Sequence, residues 1–419
     1  MARKKDNPII AVVHPICCGL DVHKDVISAC LLITDENGAE QFEVREFKTL
    51  TINLLDLRNW LMEHDCPIVA MESTGVYWQP VYNVLENYLQ VVLVNARHVK
   101  NVPGLKTDIA DSKWLAGLLR HGLLKGSFIP PSQVRDWRDL TRVRTKMQQN
   151  INSHKLRIHK LFESANIKLG SLLSDLFGVT GRRLMDLLAS GASEITLADV
   201  EQCTQGRVKS QPEELLQSLQ GFFRDHHRYI LKKLLRIIAF LEKELEDVNQ
   251  RLQELMQESN PVILRLKAIP GVSDVAATIL ISELGPTLDA FPSSASLASW
   301  CGLCPGNNQS AGKRKSGRSP VRKHPLRALM VQVAWAAVKK KGSYYKDKFY
   351  RLSARRGPKK AIVAIAHRLI KAAYHIIKDD VEFRDLGENY LLIRHQPRKL
   401  SILKQQAKVL GYELTPITV

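Results

Sequence analysis

The first part of the chain alternates short apolar stretches with amphipathic ones, as expected of a sheet covered by helices. Residues 16–34 are predicted to form two strands, residues 35–38 give a turn signal, and residues 42–48 alternate like a third strand. Further apolar strands are predicted at 67–72 and 90–95, with helical patterns between and after them. This order of elements predicts an α/β domain with a mixed sheet.

Helical periodicity dominates the remainder of the chain. Residues 132–166 form a long, strongly basic helical pattern, and the polar residues 203–212 suggest a linker. A heptad seam typical of a coiled coil follows, with apolar residues at alternating spacings of four and three: Leu234, Ile238, Leu241, Leu245, Val248, Leu252 and Leu255. The pattern allows this seam to pair with the helix at 132–166 or with a second chain.

The C-terminal part contains two helical patterns joined by a short turn. Residues 264–285 predict a helix-hairpin-helix, in which the backbone N–H groups of Ile269-Pro-Gly-Val272 either hold a nucleic-acid phosphate or form a plain tight turn. The predicted fold is therefore α/β plus all-α. Its segments are an N-terminal extension (1–15), the mixed-sheet domain (16–165), a helical linker with the coiled coil (166–258), a mainly helical C-terminal domain (259–380) and a tail (381–419).

The net charge of the chain indicates which class of molecule it binds. The formal net charge is +19 over 419 residues, spread along most of the chain, and a protein this basic usually binds nucleic acid. Aromatic residues make up only 6% of the sequence, which favours contacts to phosphates over stacking on bases.

Cysteine usage and hydropathy argue against export and membrane insertion. Seven irregularly placed cysteines do not suggest a disulfide framework, so we expect a reducing, cytoplasmic location. Cys301 and Cys304 form a lone CxxC pair, too few ligands for structural zinc. No apolar run approaches the roughly 18 residues of a membrane span, and the N-terminus makes a poor signal peptide.

Four carboxylates stand out by position. Asp21 and Glu72 end two predicted strands, where open α/β sheets place their ligands. Asp108 and Asp111 are three residues apart at the start of a predicted helix and share a helix face. Acids in a first turn also complement the helix dipole, but four together suit Mg²⁺. Two such ions about 4 Å apart stabilise the attacking and leaving oxygens of phosphodiester transfer.

The sequences around these acids resemble a known family. Gly19-Leu-Asp-Val-His-Lys24, Met71-Glu-Ser-Thr-Gly-Val-Tyr-Trp78 and Lys106-Thr-Asp-Ile-Ala-Asp111 are similar, in motif and order, to the three motifs of the DEDD-type insertion-sequence transposases. The resemblance covers about residues 16–165 and implies a RuvC-like, ribonuclease-H-like domain. It further implies that the metal-binding and catalytic acids are Asp21, Glu72, Asp108 and Asp111.

A second segment resembles the C-terminal domain of the same family, whose pattern carries a nucleophilic serine. The matching positions are Gly302, Leu303, Pro305, Ser310, Gly312, Gly317, Leu326 and Arg327. Arg322-Lys323 stands near the place where the family usually has Gly-Asn or Gly-Asp, which leaves Ser316 and Ser319 as alternatives. We assign the nucleophile to Ser310.

The resemblance implies a DNA transposase or recombinase that acts on double-stranded element ends and target DNA. It also implies Mg²⁺, with two ions expected and Mn²⁺ as an alternative, and a structured bridge RNA as guide. We expect a dimer or tetramer, and favour pairing of the heptad seam between chains, because recombining two DNA sites needs two active sites. Expected nucleic-acid contacts are Lys106, Arg142, Lys155, Pro270, Gly271, Gly312, Lys313 and Arg327.

Two other functions remain compatible with the sequence. A metal-dependent junction nuclease would use the same four acids, with water as the nucleophile and no covalent intermediate. An architectural DNA- or RNA-binding protein would carry a degenerate site.

Overall fold

The chain forms two compact units, Met1–Ile129 and Pro130–Val419. The computed structural model describes residues 11–35, 38–73, 75–95, 108–191, 194–204, 210–306, 308–310, 313–316 and 324–415. For residues 108–110, 308–310, 313–316 and 399, the description is of the backbone.

The first unit is built on a five-stranded mixed sheet in the order β3-β2-β1-β4-β5. The strands are β1 (Ile16–Val22), β2 (Val26–Thr34), β3 (Glu40–Lys48), β4 (Ile68–Glu72) and β5 (Gln90–Val94). β1, β2 and β3 pair antiparallel, whereas β4 runs parallel to both β1 and β5. The predicted mixed-sheet α/β fold is confirmed.

Helices cover both faces of this sheet at its centre, because β1, β2 and β4 are buried on both sides, whereas β3 is largely exposed. On one face, Leu20 of β1 and Met71 of β4 pack with the buried residues of α1 (Thr51–Glu63) and α2 (Trp78–Leu85). On the other face, Cys17 and Ala70 pack with α3 (Asp108–Arg120). The result is a three-layer unit in which α3 lies against the centre of the sheet.

Gly19 sets the distance between α3 and β1. A Cβ atom on Gly19 would overlap the carbonyl oxygen of Ser112 and lie 2.6 Å from the backbone nitrogen of Ala116. Both neighbours are backbone atoms that cannot swing aside, so only glycine lets the helix approach the strand this closely.

We therefore expect Gly19→Ala to lower the free energy of unfolding by about 1–3 kcal/mol, because overpacking forces the backbone to shift. Gly117 of α3 is the matched control, since a Cβ there would meet nothing within 4 Å. Gly117→Ala should raise stability by about 0.4–1 kcal/mol through the smaller entropy of the unfolded chain. Thermal unfolding of both variants tests this, and equal stabilities would contradict the close approach.

The second unit is helical apart from two short strands, β6 (Asn308–Ser310) and β7 (Lys313–Ser316). Its described helices are α4 (Ser132–Ser164), α5 (Leu169–Leu172), α6 (Val179–Ser190), α7 (Leu197–Cys203), α8 (Pro212–Leu219), α9 (Asp225–Leu255), α10 (Asn260–Lys267), α11 (Asp274–Leu284), α12 (Ser294–Trp300), α13 (Pro325–Ala337), α14 (Tyr344–Arg356), α15 (Pro358–Lys378) and α16 (Tyr390–Val409). The predicted change from α/β to all-α along the chain is confirmed.

The long helices α4 and α9 run antiparallel against each other. Arg144 donates a hydrogen bond to Asn249 at 2.6 Å, and Lys155 pairs with Glu242 at 3.4 Å, so positions along the two helices advance in opposite directions. Leu234, Ile238, Leu241 and Leu245 of the heptad seam join a core with Ile151, Ile158 and Phe162 of α4. The structure thus shows the pairing within the chain, and pairing of the seam between chains stays a prediction.

The boundary between the units differs from the predicted one. The sequence analysis places the domain boundary at residue 165, whereas the compact units divide between Ile129 and Pro130. The physical reason is that the apolar side of α4 packs on α9, so α4 belongs to the helical unit.

The predicted linker at 203–212 lies partly outside the described residues, and α8 begins at Pro212. The predicted tail contains α16.

Across the described part of the chain, none of the helices is both long enough and apolar enough to cross a lipid bilayer.

Candidate functional site

Asp21 and Glu72 lie at the carboxyl ends of neighbouring parallel strands. The register pairs Gly19 with Ala70 and Leu20 with Met71, so the next step along both strands brings Asp21 beside Glu72. Side chains alternate between faces along a strand, which puts both acids on the face that α3 covers. Both are only partly exposed.

The first turn of α3 meets the same edge of the sheet. Ser112 is fully buried and its hydroxyl lies 3.3 Å from that of Ser28, the β2 residue that pairs with Asp21. Asp111 directly precedes Ser112 and is exposed to solvent. Asp108 begins the helix one turn before Ser112, and its side chain lies outside the described atoms. The N-terminal turn of α3 therefore lies near the strand ends that carry Asp21 and Glu72.

Asp21 has a histidine partner. The Nε2 atom of His23 lies 3.1 Å from an Asp21 carboxylate oxygen, within hydrogen-bond distance. His23 is about half exposed, whereas Asp21 keeps only 16% of its side chain exposed. The contact orients the carboxylate, an arrangement that motif spacing alone did not reveal.

The donors of this edge suit a hard divalent cation. Carboxylate oxygens are the protein ligands that Mg²⁺ prefers, and two of them come from rigid strand ends. Among the residues with described side chains, no group of three or more His, Cys, Asp or Glu is arranged to hold a metal ion. Asp108, whose side chain lies outside the description, is a further carboxylate that the sequence analysis expects at this site.

Ser310 ends β6, and its pairing partner across the two-stranded sheet is Lys313. The sequence analysis assigned no strand to this stretch, so the paired strands are a difference between prediction and structure. The register is irregular between Asn308 and Gln309, which indicates a local bulge close to Ser310. Ser316 ends β7, while Gly312 and Ser319 lie outside the described residues.

Arg327 supports the loop that leads to β6. Its guanidinium donates a hydrogen bond to the carbonyl oxygen of Gly302, in the loop after α12. Gly302 has a φ of +70°, a left-handed conformation that favours glycine. The imidazole of His324, at the N-terminus of α13, lies edge-to-face against Trp300 with centroids 4.2 Å apart. Arg327, a predicted nucleic-acid contact, thus makes a described contact within its own unit.

Arg142, another predicted contact, also pairs within the chain. It donates two hydrogen bonds, of 3.1 and 3.2 Å, to the carboxylate of Glu283 in α11. Arg138 pairs with the same carboxylate at 3.3 Å. Glu283 is only 2% exposed, and a buried carboxylate needs such partners to remain charged. Burial lowers the pKa of Arg138, although Glu283 opposes the shift.

Lys155 takes part in a similar internal network. Its ammonium group pairs with Glu242 and lies 5.0 Å from the Phe177 ring centroid. Burial alone would raise the pKa of Glu242, but hydrogen bonding and charge from Arg182, together with Lys155, lower it. The basic pattern of α4 therefore partly reflects ion pairs that hold helices together, which the sequence analysis did not predict.

The predicted hairpin of Pro270 and Gly271 is present between α10 and α11. Pro270 is buried, and Gly271 has a φ of +84°. A Cβ on Gly271 would overlap the Val333 carbonyl oxygen and lie 2.8 Å from the nitrogen of Ala337, both in α13. The glycine thus allows close packing on α13. Lys106 and the side chain of Lys313 lie outside the description.

The seven cysteines are free thiols. Burial raises the pKa of Cys301 to about 12 and that of Cys17 to about 12. Such thiols stay protonated at neutral pH, so they are poor nucleophiles and poor metal ligands.

Comparisons with known proteins agree with the motifs. A family model described as a transposase, of the DEDD type from IS110 elements, matches residues 18–167. A second model, described as a transposase of the IS116/IS110/IS902 family, matches residues 264–351. None of the curated proteins searched matches this chain.

One similar solved structure is that of Thermus thermophilus RuvC. It shares 13% sequence identity, covers 27% of this chain and 99% of its own chain, and has a TM-score of 0.22. A likeness at that TM-score supports no inference about activity. The two family models cover more than half of the sequence, and on these matches the chain belongs to the DEDD-type IS110 family of transposases.

Proposed function

We propose that this transposase breaks and rejoins DNA strands of an insertion sequence, using a carboxylate site in its first unit and a serine nucleophile in its second. The observation that carries the proposal is the register of β1 and β4, which brings Asp21 and Glu72 together on the face covered by α3. Carboxylates at adjacent strand ends are a frequent arrangement for metal-assisted phosphodiester chemistry.

Asp21, Glu72, Asp108 and Asp111 would hold the divalent metal, for which Mg²⁺ is our assignment, with two ions expected. When bound, the metal neutralises charge on the scissile phosphate and lowers the pKa of a coordinated hydroxyl group. His23 would keep the Asp21 carboxylate oriented through its 3.1 Å contact. Ser112 and Ser28 hold α3 against β2, which fixes where the helix start lies.

In the proposed covalent step, the hydroxyl oxygen of Ser310 attacks phosphorus and loses its proton. A phosphoserine bond forms as the bond from phosphorus to one sugar oxygen breaks, and that oxygen leaves as a hydroxyl group after taking up a proton. Attack by the hydroxyl of another strand reverses the reaction and releases serine. The phosphoester energy is conserved throughout, so rejoining requires no external energy source.

The net charge of +19 supports extensive contact with nucleic acid. We propose double-stranded element ends and target DNA as substrates, and a structured bridge RNA as the guide that pairs with them. Contacts are proposed at Lys106, Arg142, Lys155, Pro270, Gly271, Gly312, Lys313 and Arg327, with Arg142, Lys155 and Arg327 also serving the internal pairs described above. We further propose a dimer or tetramer, since two DNA sites require two copies of the active site.

The direct test is a search for the covalent intermediate. Purified protein is incubated with end-labelled element-end DNA, Mg²⁺ and the adjacent non-coding RNA, and the products are separated on a denaturing gel. We expect a slowly migrating species that protease converts to a faster one and that requires both the metal and the RNA. Cleaved DNA without any protease-sensitive species would instead establish a junction-type nuclease in which water attacks.

A further inference from the structure

A set of cations occupies one side of α14. Lys348, Arg351 and Arg355 follow one another at spacings of three and four residues, which places them on one face of the helix. Arg351 pairs with Asp347 at 2.8 Å, and the Nε of Arg355 lies 3.4 Å from the Arg351 carbonyl oxygen. Three positive charges therefore face the same direction beside a single acid of the same helix.

The neighbouring helix α15 extends this charge. α14 and α15 pack against each other, and the guanidinium of Arg368 lies 5.8 Å from the ring centroid of Tyr344, at the start of α14. Lys371 is three residues further along α15 and half-buried. Asp385, an acid near Tyr344, accepts a 3.0 Å hydrogen bond from the Tyr344 backbone nitrogen. Lys348, Arg351, Arg355, Arg368 and Lys371 together are named the cationic row.

The members of the row repel one another. Burial lowers the pKa of Lys348, and the charges of Arg368, Arg355 and Arg351 lower it further, against the opposing effect of Asp347. Like charges held this close cost free energy in the unliganded protein. A bound anion would remove that cost, so the arrangement favours a polyanion.

The row leads towards the segment before β6. Burial raises the pKa of the Cys304 thiol and the charge of Lys371 opposes that shift, and α12, which precedes this segment, packs against α15. Cys304 is half-buried and lies six residues before Ser310. Lys371 is therefore the member of the row that lies near the segment before β6.

We propose that the cationic row binds consecutive phosphates of the DNA strand that Ser310 attacks and directs that strand towards Ser310. This inference rests on the proposed function and adds a DNA-binding surface to it. The eight residues from Lys348 to Arg355 span about 10 Å of helix, which corresponds to roughly three phosphate steps of one strand measured along the duplex axis. Arginine guanidinium groups, which supply most of the row, match phosphate geometry well.

The test compares two double variants of the full-length protein that remove the same charge. Arg355→Gln with Arg368→Gln removes two exposed cations of the row, and Arg236→Gln with Lys243→Gln removes two exposed cations of α9. Binding of fluorescently labelled duplex DNA, and of the non-coding RNA, is measured by anisotropy over a series of salt concentrations. Circular dichroism verifies that each variant is folded.

For the row variant, we expect the slope of log affinity against log salt for DNA to become shallower by about two, one for each lost phosphate contact. The α9 variant should keep the wild-type slope. An unchanged slope in the row variant, or an equal loss in both variants, would overturn the proposal. A loss confined to RNA would overturn the assignment to DNA.

The outcome is separable from that of the proposed function. If the wild type forms no serine adduct while the row variant shows the shallower salt dependence of DNA affinity, the DNA-binding surface is supported and only the proposed covalent step fails. If the adduct forms and the slope is unchanged, the row is overturned and the proposed function stands.

Discussion

Replacing Asp21 with asparagine is expected to lower the rate of DNA cleavage by about a thousandfold while leaving the fold intact. Metal ions at such sites supply several kcal/mol of charge stabilisation in the transition state, and each 1.36 kcal/mol is a factor of ten in rate. Asparagine has the same shape and can still accept the contact from His23, which lies 3.1 Å from the Asp21 carboxylate. The change therefore removes the negative charge and little else.

Asp25 provides the matched control. It is an exposed acid between β1 and β2, four residues beyond Asp21, and belongs to none of the proposed contacts. Asp25→Asn removes one negative charge from the same edge of the sheet, and this variant should cleave DNA at the wild-type rate. Both rates are measured under single-turnover conditions, with thermal unfolding as a check on stability. If Asp21→Asn keeps cleavage within tenfold of wild type, Asp21 is not catalytic and the proposed carboxylate site does not carry out the cleavage.

Ser310→Ala is expected to abolish the protease-sensitive adduct and to reduce strand transfer by about four orders of magnitude or more. Removing the nucleophile from an enzyme that works through a covalent intermediate typically has an effect of this size. DNA binding should be retained, because the hydroxyl contributes one neutral group to an interface dominated by phosphate contacts. Denaturing gels give the adduct, and anisotropy gives the affinity.

Ser316→Ala distinguishes Ser310 from its neighbour on the paired strand. Ser316 ends β7, opposite Asn308, and should keep both the adduct and the transfer activity when replaced. The assignment fails if Ser316→Ala loses the adduct and Ser310→Ala keeps it. If neither variant changes cleavage and no adduct is seen, water is the nucleophile.

Local patterns predicted the elements of the first unit well. Short apolar runs located β1, β2, β4 and β5, and alternation of apolar and polar residues located β3, all within a few positions, because each strand is short and bounded by a turn or a helix. The acids at the ends of β1 and β4 were recognisable for the same reason. That these two acids lie side by side was only an expectation, because the order of strands in a sheet does not follow from their order along the chain. The family matches at 18–167 and 264–351 agree with the motifs from which the resemblance was drawn.

The internal pairing of the basic residues was not predicted, and their contact with nucleic acid stays a prediction. Lys155 and Arg142 occupy a helix whose composition suggested phosphate contact, but they pair with Glu242 and Glu283. The partner Glu283 lies 141 positions from Arg142, so no local pattern could reveal the pair. In contrast, the spacing of Arg351 and Arg355 was visible in the sequence. Only the tertiary structure brings Arg368 of α15 close enough to act, together with these two residues, on the charge of Lys348.

The sequence by itself determined the type and order of the elements of the first unit, the family, and the candidate acids and serine, because these depend on residue type and short-range spacing. The tertiary structure decided how closely α3 approaches β1 at Gly19, which partner the heptad seam packs against within the chain, and which cations are neutralised by acids. These properties depend on contacts between residues far apart in sequence. Close packing and charge compensation act over a few ångströms in space, whatever the separation along the chain.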